Sequence, residues 1–588
     1  MSVARFLLML PTIAAWMCGV SIAQTPDFEK EIAPLLIRRC IECHTGSDPA
    51  GGLSLQTRDG LLAGGHSGDA IDGSTPDESL LLSRVVDGEM PPEKQGRSQK
   101  IPDDEVQLLT RWLQSGADWP PQRRLDLFER TNDLRAGRDW WSLQPIRPPQ
   151  IPTVGGAVPD SPIDAFVLAK LDKAGMVPAP QADPATRLRR LYIDLIGLPP
   201  TEHEIETFVA DPSTKAWEHT IDRLLQSPQY GVRWAQYWLD VVRYADTSGY
   251  ERDQEKPFAW KYRDWVVDAL NDDMSYDQFV VHQLAGDEID EKDINSVIAT
   301  GFLRLGTWND EPNDPADYQY DRLEDLVHTT STAFLGMTVK CARCHDHKFD
   351  AITQDDYYRM ATAFWAGPID RGGKTLGGPT SEELGFEDVL GWTDTAIKPE
   401  PLFALKNGER QHPLHEVVPA TLSLLPELEM ELASPGPDAT TTTRRLQLAK
   451  WIVDPRNPIT PRVLVNRLWQ HHFGQGIVRT PNNFGFLCDP PTHPELLDWL
   501  AAEFVSGGWK IKRLHKMILM SATWQQASVH PRQDEYHSVD AGNRYIWRAN
   551  RRRLDAETLR DAMLYCAGEL QLQTGGVGFR PTISKEAL

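Results

Sequence analysis

Apolar residues along this 588-residue chain recur mainly three and four positions apart, and strand-like alternation is scarce. The pattern predicts a mainly α fold. After a first apolar run, Phe6 to Val20, it resumes with Phe28, Ile32, Leu35, Leu36 and Cys40, which share one helix face behind Asp27 as expected cap. A second early helix is expected to carry Val106, Leu109, Trp112 and Leu113, capped by Asp103. Further on, helical spacing marks Ile163 to Ala174, Ala185 to Ile196, Trp217 to Gln226, Trp234 to Ala245 and Trp260 to Leu270. The last stretch predicts helices through Leu446 to Val453 and Val463 to Phe473, then a start at Thr492, with Glu495 as its capping-box partner.

Pro, Gly and polar punctuation divides the chain into expected segments: 1–23, a signal peptide; 26–121, a small helical domain; 122–160, a Pro-rich linker in which Trp140 and Trp141 dock on a neighbour; 161–368, a larger helical domain; 369–440, a variable connector; and 441–588, a C-terminal helical domain. The signal reading rests on Arg5 before the apolar run, on Pro11, which breaks it, and on Ser21-Ile22-Ala23, with cleavage expected after Ala23. No later stretch is apolar enough to span a bilayer. The expected location is the periplasm or another extracytoplasmic space, without a transmembrane span after cleavage. An excess of 84 acidic over 61 basic side chains, net −23, argues against nucleic acid or anionic lipid as the main partner.

The chemistry lies in a five-residue pattern that occurs twice, Cys40-Ile41-Glu42-Cys43-His44 and Cys341-Ala342-Arg343-Cys344-His345. Both spell C-x-x-C-H, the signature of c-type haem attachment: two thiols at this spacing form thioethers to the porphyrin edge while the histidine reaches the iron. Seven cysteines in all leave only Cys488 and Cys566 outside the signal and the two motifs, which excludes a disulfide scaffold. Met90, in Glu89-Met90-Pro91-Pro92, is the expected second axial ligand opposite His44, with His66 as runner-up. At the later motif, haem with His345 as axial ligand stands first. Zinc held by Cys341, Cys344 and His345 or His347 is the alternative, and a redox-active thiol pair is the third reading. His328, Met337 and Met360 are near in sequence, but none stands out as a distal ligand there.

Four other features carry blander readings. Asp240 and Arg243 are one turn apart and are expected to pair. His471 and His472 read as surface histidines of an amphipathic helix. Arg551-Arg552-Arg553 reads as a basic cluster satisfied by the protein's own carboxylates, with a haem propionate or substrate anion as the sharper option. Phosphate-loop, dinucleotide and nucleophile-elbow motifs are missing from the sequence.

The first segment resembles the planctomycete-type cytochrome c domain through its C-x-x-C-H, its Gly64-Gly65-His66-Ser67-Gly68 loop, Met90-Pro91-Pro92 and the run Trp112 to Ala117. The resemblance implies a class I-like cytochrome fold with His44 and Met90 as ligands. The second segment resembles a domain of unknown function that follows such cytochrome domains, through Arg233-Trp234 to Asp246, Gln283-Leu284-Ala285-Gly286-Asp287 and the run from Cys341 to Asp350, with Ala351 where proline is expected. The third resembles another such domain, through Val465-Asn466-Arg467-Leu468-Trp469 and Thr492 to Leu500, with Cys488 where glycine is expected. Related chains often continue further, which leaves the third domain incomplete as read.

The expected architecture is thus a small class I-like cytochrome c domain followed by two larger, predominantly helical domains. The expected function is an exported c-type cytochrome with haem c at Cys40 and Cys43 and a second haem c at Cys341 and Cys344, passing single electrons to or from a redox partner protein or a small-molecule substrate. Two alternatives stay open: a peroxidase- or dehydrogenase-type enzyme with an open second haem, and an extracytoplasmic binding or scaffold protein with one haem and a zinc ion. Oligomeric state is not readable.

Overall fold

The computed structural model describes residues 25–46, 49–93, 98–369 and 378–579, so the expected signal peptide lies outside the described residues. Helices dominate, and the only sheet among the described residues is a hairpin, Phe403–Leu405 against Pro413–Glu416. The protein is mainly α. It divides into two compact units between Arg130 and Thr131.

In the smaller unit, Asp27 accepts the Lys30 amide at 3.0 Å and starts a helical run, Phe28–Ile32 continuing as Ala33–Arg39. This run packs on the helix Asp103–Gln114. Phe28, Trp112 and Trp119 meet at centroid distances of 4.6 to 6.4 Å, and Glu105 accepts from Arg39 at 2.8 and 3.1 Å, fastening the two helices at their polar edge. The cap of the later helix differs from expectation. Pro102 is the N-cap and Asp103 the first helical residue, where its carboxylate faces the helix dipole instead of closing the turn. Residues 122–130 of the expected linker pack on this unit: the Leu125 amide donates to the Gln56 carbonyl at 2.7 Å, and Leu125 and Phe128 are buried.

In the larger unit, Trp140 and Trp141 dock as expected. The Trp140 indole donates to the Phe484 carbonyl at 2.9 Å, and Trp141 lies 5.7 Å from the Phe484 ring. The segments before and after the connector interlock. The helix Tyr276–Ala285 packs on Arg444–Ile452, and the buried Asp164 carboxylate accepts from the Ala522 and Thr523 amides at 2.8 and 2.7 Å. The expected variable connector is folded where it is described. Leu402, Leu405, Leu422 and Leu424 are buried, and Ser423 donates its amide and hydroxyl to Asp356 at 2.6 and 2.9 Å. The Thr492–Glu495 capping box is not made: the helix is Pro494–Ser506 with His493 at the cap, and the Thr492 amide is taken by the Ile477 carbonyl at 2.9 Å. The expected helix from Trp234 starts earlier, as Pro228–Val241, because Ser227 caps it and Pro228 suits the first position.

Candidate functional site

The helix Ala33–Arg39 delivers the first motif. Its chain leaves through Cys40, whose amide still bonds Leu36, and then closes one more turn: the Cys43 and His44 amides both reach the Cys40 carbonyl, at 3.2 and 3.1 Å. Both thiols and the imidazole therefore sit on a single turn. Cys40 is half-buried, and burial pushes its thiol up to about 12, while Cys43 is exposed. His44 Nδ1 lies 3.0 Å from the Leu53 carbonyl. A carbonyl only accepts, so Nδ1 carries the proton and Nε2 keeps the lone pair that binds a metal.

The backbone around that bond is fixed by close approach. A Cβ on Gly65 would stand 2.7 Å from the Gly51 carbonyl oxygen and 3.1 Å from the Leu53 side chain, so only glycine lets the Gly64–Gly68 loop lie on the segment that orients His44. The His66 amide completes the contact at 2.8 Å to Gly51; its imidazole is exposed and rests on Gly52. Met90 packs on the core that Cys40 and Leu53 also join, its amide held by the Arg84 carbonyl at 3.0 Å. Two thiols, an imidazole with free Nε2 and a thioether on one small core form a donor set that fits haem c.

The second motif rides on a 3-10 turn, Val339–Arg343, in the larger unit, and Cys341, Cys344 and His345 are all exposed. Arg343 is its anchor. Its guanidinium meets Glu324 at 2.8 Å and Asp321 at 3.2 Å, and its carbonyl accepts from Gln354 at 2.9 Å and Tyr358 at 3.1 Å. Gly408, at φ +74°, lies so near Cys344 that a Cβ there would stand 2.8 Å from the sulfur. His345 Nδ1 lies 2.7 Å from the Asp346 carbonyl, which again leaves Nε2 free. His347 is otherwise committed. Its Nδ1 accepts the Asp350 and Phe349 amides at 2.8 and 3.2 Å, so Nε2 carries the proton and donates to Thr338 at 3.1 Å. It has no lone pair left for zinc. Among the described residues no group of three or more His, Cys, Asp or Glu side chains is arranged to hold a metal ion. Met337 and Met360 are buried in the core, and His328 is half-buried near Asp325 and Lys340.

Family models match three stretches in order: Planctomycete cytochrome C over residues 40–94, a protein of unknown function (DUF1549) over 162–367, and a second protein of unknown function (DUF1553) over 444–588. The chain belongs to the planctomycete multidomain c-type cytochromes. Its cytochrome c domain implies covalently bound haem c at the first motif. No curated protein and no solved structure matches it. Among the described residues no helix is long and apolar enough to cross a membrane.

Several residues of this planctomycete-type cytochrome carry roles that their sequence context hides. Arg243 does not pair with Asp240, which is exposed; it turns to Asp325, Nε to Oδ1 at 3.0 Å. Its own φ of +54° at the end of the helix Pro228–Val241 redirects the side chain. His472 is buried instead of surface-facing, its Nε2 2.8 Å from His515 Nδ1, and half-buried His471 stacks on Tyr237 at 3.7 Å. The acceptor for His44 is a backbone carbonyl, which any residue at position 53 supplies, so no side-chain signal marks it.

Proposed function

We propose that this protein is an exported c-type cytochrome that transfers single electrons, with Cys40 and Cys43 as haem-attachment residues and His44 and Met90 as axial ligands. The observation that carries the reading is the His44 to Leu53 bond at 3.0 Å, which fixes the ring orientation and leaves Nε2 as the donor atom. Bound haem supplies a one-electron ferric/ferrous couple whose potential the axial residues and burial set. Cys43, exposed on its turn, keeps one attachment thiol at the surface, where a redox partner protein has access. The cytochrome c domain supports an extracytoplasmic setting, since covalent attachment takes place on the oxidising side of the membrane.

The second C-x-x-C-H is proposed as a second attachment site. Exposed Cys341 and Cys344 on one turn and the free Nε2 of His345 support it, and the committed lone pair of His347 weighs against the His347 form of the zinc alternative. Pyridine haemochrome assay and intact mass, on protein matured by a periplasmic c-haem system, test both statements. Two covalent haems are expected, one lost on Cys341→Ala with Cys344→Ala and the other on Cys40→Ala with Cys43→Ala. One haem confines electron transfer to the first domain. A protein that takes up no covalent haem overturns the reading.

A further inference from the structure

The larger unit contains a cavity of about 540 Å³ whose wall is basic, in a chain of net charge −23. Six arginines line it: Arg189 and Arg190 from the helix Pro184–Ile196, Arg233 from Pro228–Val241, and Arg551, Arg552 and Arg553 from the loop entering Ala556–Ala567. The two carboxylates in the wall are already engaged. Arg552 pairs with Asp194, and Arg233 Nη1 lies 2.9 Å from Asp555. Arg189, Arg190, Arg551 and Arg553 are left without a carboxylate at ion-pair distance among the described residues.

Two of the wall's guanidinium groups also keep an unmet donor. Arg190 gives Nη2 to the Gln526 carbonyl at 2.9 Å and lies over Trp524 at 5.0 Å, yet its Nε is buried without an acceptor. Arg233 is 7% exposed, and its Nε is likewise buried and unpaired. Fork-shaped guanidinium groups without a carboxylate partner, as at Arg189, Arg551 and Arg553, are suited to sulfate, phosphate or carboxylate groups, which accept two N–H bonds side by side. The volume lies in the range of small-molecule sites and exceeds what one inorganic ion fills. The stacked pair of Tyr237 and His471 in the same wall offers an apolar surface for the rest of a ligand.

We propose that this cavity binds a small organic oxyanion, a molecule that carries sulfate, phosphate or carboxylate groups on a compact body. The site stands on residues of the larger unit alone and does not depend on the haem reading.

Isothermal titration of the full-length holoprotein at low ionic strength tests it, with inorganic sulfate, inorganic phosphate and citrate as probes and chloride at matched ionic strength as reference. Saturable one-to-one binding of at least one probe is expected, and the ranking of the three identifies the recognised group. Arg551→Gln combined with Arg553→Gln, two exposed side chains without a carboxylate partner among the described residues, is expected to weaken that binding at least tenfold and leave the melting temperature of the unliganded protein unchanged. Heats no larger than those of chloride for all three probes overturn the proposal, as does binding that the double variant leaves intact.

Discussion

Arg445 grips Asp287 through both ends of its guanidinium, Nη1 to Oδ1 at 2.6 Å and Nη2 to Oδ2 at 2.8 Å, with its side chain wholly buried. Asp287 ends the Gln283-to-Asp287 run and Arg445 opens the C-terminal segment, so the pair ties two stretches that family models treat separately. Asp394, from the connector, joins at 3.2 Å. Removing the cation strands buried carboxylates, a loss of about 4 kcal/mol by analogy with broken buried pairs. Arg445→Met is therefore expected to shift the urea midpoint of the larger unit strongly downward. An unchanged midpoint would show that the network adds nothing to folding.

Glu288 shares the same arginine, Nη2 to Oε1 at 2.8 Å. Burial and the neighbouring Asp394 and Asp287 push its carboxyl up to about 8 from 4.5, against the pull of Arg445. The folded state thus holds a proton that the unfolded chain has released. This contribution is complete below about 4.5 and is lost as pH rises toward about 8. Glu288→Gln mimics the protonated form. Its stability relative to the parent is expected to climb between pH 5 and 8 by on the order of 1 kcal/mol per pH unit, measured by urea unfolding. Parallel pH profiles would place the proton elsewhere.

What the sequence made legible follows the range of the interactions. The helix from Asp27 toward Cys40, the Gly-rich loop beside it and the docking of Trp140 all answer to local periodicity and punctuation, and all three are found. Partner choice over long separations was hidden. Arg243 had Asp240 three positions away and took Asp325 instead, and the Arg552 partner, Asp194, comes from a distant helix. His471 and His472 look like surface residues because the aromatic wall that covers them, Trp234, Tyr237 and His515, is assembled from other parts of the chain.

The first site yields two separable tests. Gly65→Ala introduces a Cβ 2.7 Å from the Gly51 oxygen and displaces the segment carrying the Leu53 carbonyl. A stability loss of about 1–3 kcal/mol and poorer haem retention are expected, read by thermal melting and haem-to-protein ratio. Met90→His should leave covalent attachment intact and lower the reduction potential, within the range of about 0.8 V over which axial ligands act. A potentiometric titration that coincides with the parent would remove Met90 from the iron.

The buried histidine pair predicts acid sensitivity in the larger unit. His472 Nδ1 lies 3.5 Å from the Asp194 carboxylate and its Nε2 2.8 Å from His515 Nδ1. The nearby Asp194 carboxylate favours the His472 proton on Nδ1, and His515 Nδ1 then donates to His472 Nε2 across the short contact. Burial, the paired ring, His471 and Lys512 hold His515 well below 6.5, while burial outweighs Asp194 at His472 and holds it below 6.5 as well. Both rings are neutral in the fold and take up protons on unfolding. Their stability contribution is therefore present above about 6.5 and is lost as pH falls. His515→Phe keeps a ring beside Trp234, now 4.1 Å away, and removes one titrating group. At pH 7.5 it is expected to cost about 1–2 kcal/mol for the lost hydrogen bond. Between pH 6.5 and 5 its melting temperature should fall less steeply than that of the parent. If the two slopes coincide, the acid sensitivity belongs to other groups.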